Sequence, residues 1–315
     1  MSDSQSILVD SETGSLLAQS IEEAMRVAIE YLATALQCVT TACGTHSTSI
    51  IAGWEDDDCA REAIAKYLVG LRACAIDAAL HIKAELEDTQ ADRDEILQNV
   101  MQIVSRELDP ADANTRDNWI STERNPWIAE AIWHLAMAVA ASRADLHPPG
   151  RILLLDYAHI KAKDHGLDIA AIFEDGDSVG FTIIETKAYK DDPNGAIGNA
   201  VTFFREVREN QHDIRIRHAV QLMRNALSAT ENSRISGSFW KRNRVYICNP
   251  HYRSDVSINW GNRRPSLQEL SSTNERVFVM PSALAHFEEF FDDIAERMQC
   301  FAEELQQCTT NTPVA

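Results

Sequence analysis

Residues 164–190 read DHGLDIAAIFEDGDSVGFTIIETKAYK, and the parsing of this stretch decides the fold. Residues 166–173 and 179–188 are rich in apolar and β-branched side chains, the composition of strands. Between them Glu174-Asp175-Gly176-Asp177-Ser178 carries an Asp-Gly pair, a strong signal for a tight hairpin turn. The stretch therefore predicts strand, turn, strand. Two groups of charge sit inside these strands: Asp168 near the start of the first, and Glu185-Thr186-Lys187 near the end of the second.

Period-two alternation puts Glu185 and Lys187 on one face of their strand. Folding the hairpin back brings Asp168 to the same end, within about two residues of register of Glu185. Whether Asp168 shares their face depends on the turn, because a one-residue slip inverts it. Sharing it would gather two carboxylates and an ammonium at a strand end. Such hard oxygen ligands suit Mg²⁺. A lysine beside the ion can orient an attacking water and stabilise negative charge on a phosphoryl group.

The chain has 315 residues, 45% hydrophobic and 24% charged, as expected of a globular protein with one large domain or two ordinary ones. Its first residues lack the basic start and apolar core of a signal peptide. The weakly polar run at 129–141 is too short to span a bilayer and carries Glu130 and His134. Seven cysteines with no Cys-x-x-Cys pair fit a reducing cytoplasm. The net charge is −19, but it is unevenly spread. Residues 1–115 hold 21 acidic against 7 basic residues, and residues 201–264 hold 12 basic against 5 acidic. Such segregation suggests regions with different partners.

Helical periodicity is expected over 15–36, 58–87 and 93–106, with a small polar loop at 40–53. No strand pattern precedes Pro110, so residues 1–115 are expected to form an acidic, all-helical region, and 116–315 a second domain. Its acidity reads as a solvated surface, as a docking face for a partner protein, or as a phosphate-mimicking guard over the basic region. Asn125-Pro126 opens a helix in which Glu130 is the only carboxylate of an apolar body. His134, one turn on, reads as a packed histidine. A strand over 151–156, helices over 196–207 and 214–228, strands over 245–248 and 276–280 and a closing helix over 281–307 complete the series. Arg215, Arg217, Arg224, Lys241, Arg242 and Arg244 form a basic set that reads as the approach for phosphate, with Trp240 either a stacking platform or core.

The Asp168…Glu185-x-Lys187 pattern resembles that of the PD-(D/E)XK nuclease superfamily, although Leu167 stands where its motif has a Pro. Within it, residues 125–230 look like the nuclease subunits (HamA) of the Hachiman anti-phage defence system. The resemblance rests on the helix with Glu130, Gly166 and Asp168, Glu185 and Lys187, Tyr189, and the helix from Ala196. It implies a restriction-endonuclease-like mixed sheet flanked by helices behind a helical N-terminal region. It also implies a DNA-hydrolysing enzyme that uses Mg²⁺ or Mn²⁺, held in check by a helicase partner docked on the acidic helices or the nuclease surface. Asp168, Glu185 and the Thr186 carbonyl would bind the metal, Lys187 would position water, and Glu130 would complete the acidic cluster. The alternatives are a non-catalytic binding subunit with a nuclease fold, and a sequence-specific restriction-type endonuclease.

Overall fold

The computed structural model describes residues 15–105, 112–159, 167–233, 235 and 239–308. Gly166, Asp109 and Pro110 lie outside the described residues. Helix α1 (Leu16–Ala35) starts at the Ser15 cap and leads into a hairpin of β1 (Gln37–Ala42) and β2 (Ser47–Ala52). Helix α2 (Asp58–Arg72) starts at the Asp57 cap, and α3 (Gln90–Val104) at a Thr89–Asp92 capping box. Helix α4 (Ala113–Trp119) runs through a π-helical turn into α5 (Asn125–Val139). Then come β3 (Arg151–Leu155), β4 (Ile169–Asp175) and β5 (Ser178–Ala188), followed by α6 (Pro193–Arg208), α7 (Asp213–Asn225), α8 (Ala229–Ser233) and α9 (Phe239–Arg242). The chain closes with β6 (Arg244–Arg253), α10 (Trp260–Leu270), β7 (Glu275–Val279), β8 (Ser282–Leu284) and α11 (Phe287–Gln307).

The strands form one mixed sheet in the order β1-β2-β7-β6-β5-β4-β3, with β8 continuing alongside β6. Strand β4 runs antiparallel to its neighbours β3 and β5, whereas β6 lies parallel to β5 and β7 parallel to β6. Alternating side chains of β4 feed two cores. Ile169, Ala171 and Phe173 join the cluster built with α1, α2, α3, α5 and α11, while Ala170 and Ile172 join that of α6, α7, α9 and α10. Mixed α/β architecture with helices at the N-terminus is thus as expected from the sequence.

The first third is not all helical. Segment 40–53 contributes the β1–β2 hairpin, and β2 pairs in parallel with β7 through Ser47↔Phe278 and Thr48↔Val279. Its composition misleads because one face is solvated: Val39 and Ile50 are exposed while Ser49 and Ile51 are buried. A strand of Thr, Ser and Ile on the rim of a sheet then looks like a polar loop. The helix expected over 58–87 ends at Arg72, where Cys74 takes a left-handed φ of 53°. The left-handed position after the helix holds Cys74 and not Gly, so the sequence carries no cap signal there. The apolar side chains of α1–α3 belong to one buried cluster with α5 and α11.

Candidate metal centre at the end of the sheet

The turn joining β4 to β5 has Gly176 and Asp177 at its centre, and only Gly176 takes a positive φ, 58°. This is the type II′ arrangement, in which glycine occupies the first central position. It fixes the register at Asp175↔Ser178 and Ile169↔Ile184, which brings Asp168 directly opposite Glu185. Opposed residues of an antiparallel pair point to the same face. The alternative left open by the sequence is thereby closed: Asp168, Glu185 and Lys187 share one face.

They also touch. The Lys187 Nζ lies 3.0 Å from Asp168 Oδ2 and 3.0 Å from Glu185 Oε2. The Thr186 N–H donates to Asp168 Oδ2 at 2.9 Å. Backbone N–H and C=O of one strand residue leave on the same edge, so the Thr186 carbonyl is directed to the Asp168 side too. Glu185 is buried, and its Oε1 has no hydrogen-bond partner. Burial first, and then repulsion by Asp168, raise the Glu185 pKa well above the ordinary carboxylate range, against the pull of Lys187. Burial disfavours the Lys187 ammonium, but the two carboxylates outweigh it and hold the amine charged above its ordinary range. Cys248 pairs with Glu185 in the neighbouring strand, its thiol pushed up by burial and then by the Glu185 charge.

Helix α5 delivers the next carboxylate. All of its residues except Pro126 are buried, so Glu130 is a carboxylate in an enclosed helix and not an exposed edge residue. Trp127, Glu130 and His134 recur at helical spacing and so share a face, which meets the segment after β3. The Trp127 Nε1–H donates to the His159 carbonyl at 3.0 Å. His134 donates from Nε2 to the Asp156 carbonyl at 3.0 Å and accepts the Tyr67 hydroxyl at 3.1 Å on Nδ1. Burial lowers its pKa to about 4, so it is a neutral packing residue, as expected.

Glu130, His159 and Asp168 each offer one donor atom, and these atoms lie within 4.8 Å of one another. The His159 Nδ1 stands 3.8 Å from Glu130 Oε2 and has no hydrogen-bond partner. Asp168 and Glu185 share one ammonium, leaving one negative charge between the three groups when both acids are ionised. The residues fit a divalent cation: oxygen donors suit Mg²⁺, the imidazole also suits Mn²⁺, and the unpartnered oxygen of Glu185 has an electrostatic use. His159 was not singled out in the sequence. The signal was present in Asp156-Tyr157-Ala158-His159, a titratable group at a strand exit. Asp156 itself has its pKa raised by burial, with His159 and His218 pulling it back.

The basic set is not gathered at this centre. Arg244 is buried, donating to the Trp240 carbonyl at 2.9 Å and the Tyr246 hydroxyl at 3.0 Å. It is a structural arginine, which corrects its reading as a phosphate contact: aromatic neighbours that suggested stacking on bases enclose the guanidinium instead. Trp240 is core for the same reason. Arg244 pairs with Phe181, four residues from Glu185, so α9 with Lys241 and Arg242 stands about 13 Å along the strand from the carboxylates. Lys241 bonds Asn210 at 2.8 Å and Asp213 at 2.7 Å, and Arg217 lies 4.0 Å from Asp213. Arg224 donates to Asn232 at 2.8 Å. Arg215, Arg217, Lys241 and Arg242 are exposed.

Comparison with known protein families, with curated proteins and with solved structures finds no match to this chain.

Proposed function

We propose that the chain is a metal-dependent nuclease that hydrolyses DNA phosphodiester bonds. The observation that supports this most is the meeting of Asp168, Glu185 and Lys187 from two adjacent strands, with Lys187 at 3.0 Å from both acids, beside Glu130 and His159. In this reading Asp168, Glu185 and Glu130 hold Mg²⁺ or Mn²⁺, with the Thr186 carbonyl and His159 as further donors. The ion, when bound, polarises a phosphoryl oxygen and lowers the pKa of a bound water. Lys187 holds the attacking water by hydrogen bonding and offsets the charge that builds on the phosphoryl oxygens. Burial of Glu185 and Cys248 keeps bulk water from the inner side of the site. The role of anti-phage effector in the cytoplasm, restrained by a helicase partner, belongs to the same reading. It rests on the pattern of Glu130, Asp168, Glu185 and Lys187.

A second reading is favoured by one observation. Lys187 already pairs with both carboxylates, as it would in a purely structural ion triad of a non-catalytic binding subunit. Digestion of plasmid DNA separates the two. The nuclease reading expects Mg²⁺-dependent cleavage that chelation abolishes and that Glu185→Gln and Lys187→Ala each reduce at least about a hundredfold with unchanged circular dichroism. Cleavage that survives both substitutions, or wild-type protein inert with Mg²⁺ and Mn²⁺, contradicts it. Discrete product bands would add sequence recognition, and a smear would argue against it.

A further inference from the structure

A cavity of about 470 Å³ opens beside the metal centre, between the end of α2, the face of α3 and the segment after β3. His159 lines it and at the same time belongs to the donor cluster, so the cavity and the carboxylates share a wall. Trp127, itself 2% exposed, and the half-buried Arg72 that lies over it form part of the rest of the wall. The Trp127 indole is pinned through Nε1 to the His159 carbonyl, and the Arg72 guanidinium lies 5.3 Å from its ring centroid. Arg72 is itself fixed by the Asn99 carbonyl, which accepts from Nε at 3.2 Å and from Nη2 at 2.9 Å. Tyr157, 53% exposed, lines the same cavity and leaves an aromatic face open to solvent. The larger groove between α1, α2 and α11, about 740 Å³, shares no residue with the metal centre.

We infer that this cavity receives an unpaired base of single-stranded DNA and thereby sets the adjoining phosphodiester against the carboxylates. The inference deepens the nuclease reading and rests on it. Aromatic and guanidinium planes grip any base by its face, without a sequence requirement. A base inside a duplex is stacked on its neighbours and enters a concave pocket only after being flipped out. The volume is that of a small-molecule site and too small for a helix of nucleic acid. Glu95 on the rim suits the amino edge of a base and repels a phosphate. The charge distribution agrees: duplex binding draws on many cations facing phosphates, yet the net charge is −19, and Lys241 and Arg242 stand at the far end of the strands.

The test is fluorescence anisotropy with a labelled oligothymidylate of about twenty nucleotides, and with a hairpin duplex of equal length, Ca²⁺ replacing Mg²⁺ to limit cleavage. The single strand is expected to bind at least about tenfold more tightly than the duplex. Tyr157→Ala should weaken it about tenfold, and Tyr157→Phe should restore it. Equal binding of duplex and single strand, or an unchanged affinity of Tyr157→Ala, overturns the inference. Calorimetric Mn²⁺ binding by the same proteins tells the two failures apart. If wild type and Tyr157→Ala bind Mn²⁺ alike while the oligonucleotide result fails, the base subsite alone falls. If wild type binds no Mn²⁺, the nuclease reading falls and takes the subsite with it.

Discussion

Glu185 keeps one carboxylate oxygen on Lys187 and the other in a buried place with no partner, beside a second carboxylate 3.0 Å from the same amine. Its charge therefore opposes folding in the metal-free protein. The folded state binds the proton more tightly than the unfolded one, so stability drops as pH climbs from the ordinary value of 4.5 through the raised folded value. Glu185→Gln removes the charge and keeps the shape. Thermal melting of the metal-free variant should show a gain of about 1 kcal/mol or more at alkaline pH, vanishing below pH 4.5, where the wild-type carboxyl is protonated in both states. Mg²⁺ should then stabilise wild type, by about 2.7 kcal/mol at a hundredfold excess over Kd, and leave the variant unmoved. A variant that melts lower than wild type at every pH would contradict this account of the site. Asp168, Glu185 and Lys187 were legible in the sequence because charge inside an alternating apolar pattern stands out. His159 was not, because its meaning comes from Trp127 anchoring its backbone, a contact across 32 positions of chain.

At the scale of elements, α11 shows how the N-terminal helices join the part of the chain that carries the sheet. Phe290, Ile294, Met298, Phe301 and Leu305 form its buried stripe in the cluster shared with α2 and α3. Arg297 ties the edges, reaching Asp58 at 3.1 Å and Glu62 at 3.4 Å on α2. Arg93 of α3 donates to the Leu305 carbonyl at 3.1 Å. Uncovering five such side chains costs roughly 7–15 kcal/mol gross, as much as the whole net stability of a domain. A chain beginning at residue 112 should therefore aggregate or lose near-ultraviolet circular dichroism. A soluble truncated chain with intact tertiary signals would show that α11 needs no cover. The β4–β5 hairpin was readable because Gly176 falls where a II′ turn needs it. The β1–β2 hairpin was not, since its second strand is completed by β7, more than two hundred residues away.

Across the whole molecule, the acidic surplus of the first third is partly spent inside the fold. Asp57 caps α2, Glu55 accepts from the backbone ahead of α11, and Asp58 pairs with Arg61 and Arg297. These carboxylates hold α2 and α11 in place, whereas Asp168 and Glu185 at the sheet end share the single ammonium of Lys187. No helix among the described residues is long and apolar enough to cross a membrane. Lys241 and Arg242 stand about 13 Å along the strand from the carboxylates of Asp168 and Glu185. The central claim is that this end of the sheet binds one divalent cation. Diffraction at the manganese absorption edge, from crystals grown with Mn²⁺, tests it directly. The account predicts one anomalous peak among the carboxylates of Glu130, Asp168 and Glu185, with the Lys187 amine no longer bridging the two acids. A map with no peak there, and Lys187 still between Asp168 and Glu185 at saturating Mn²⁺, would contradict it.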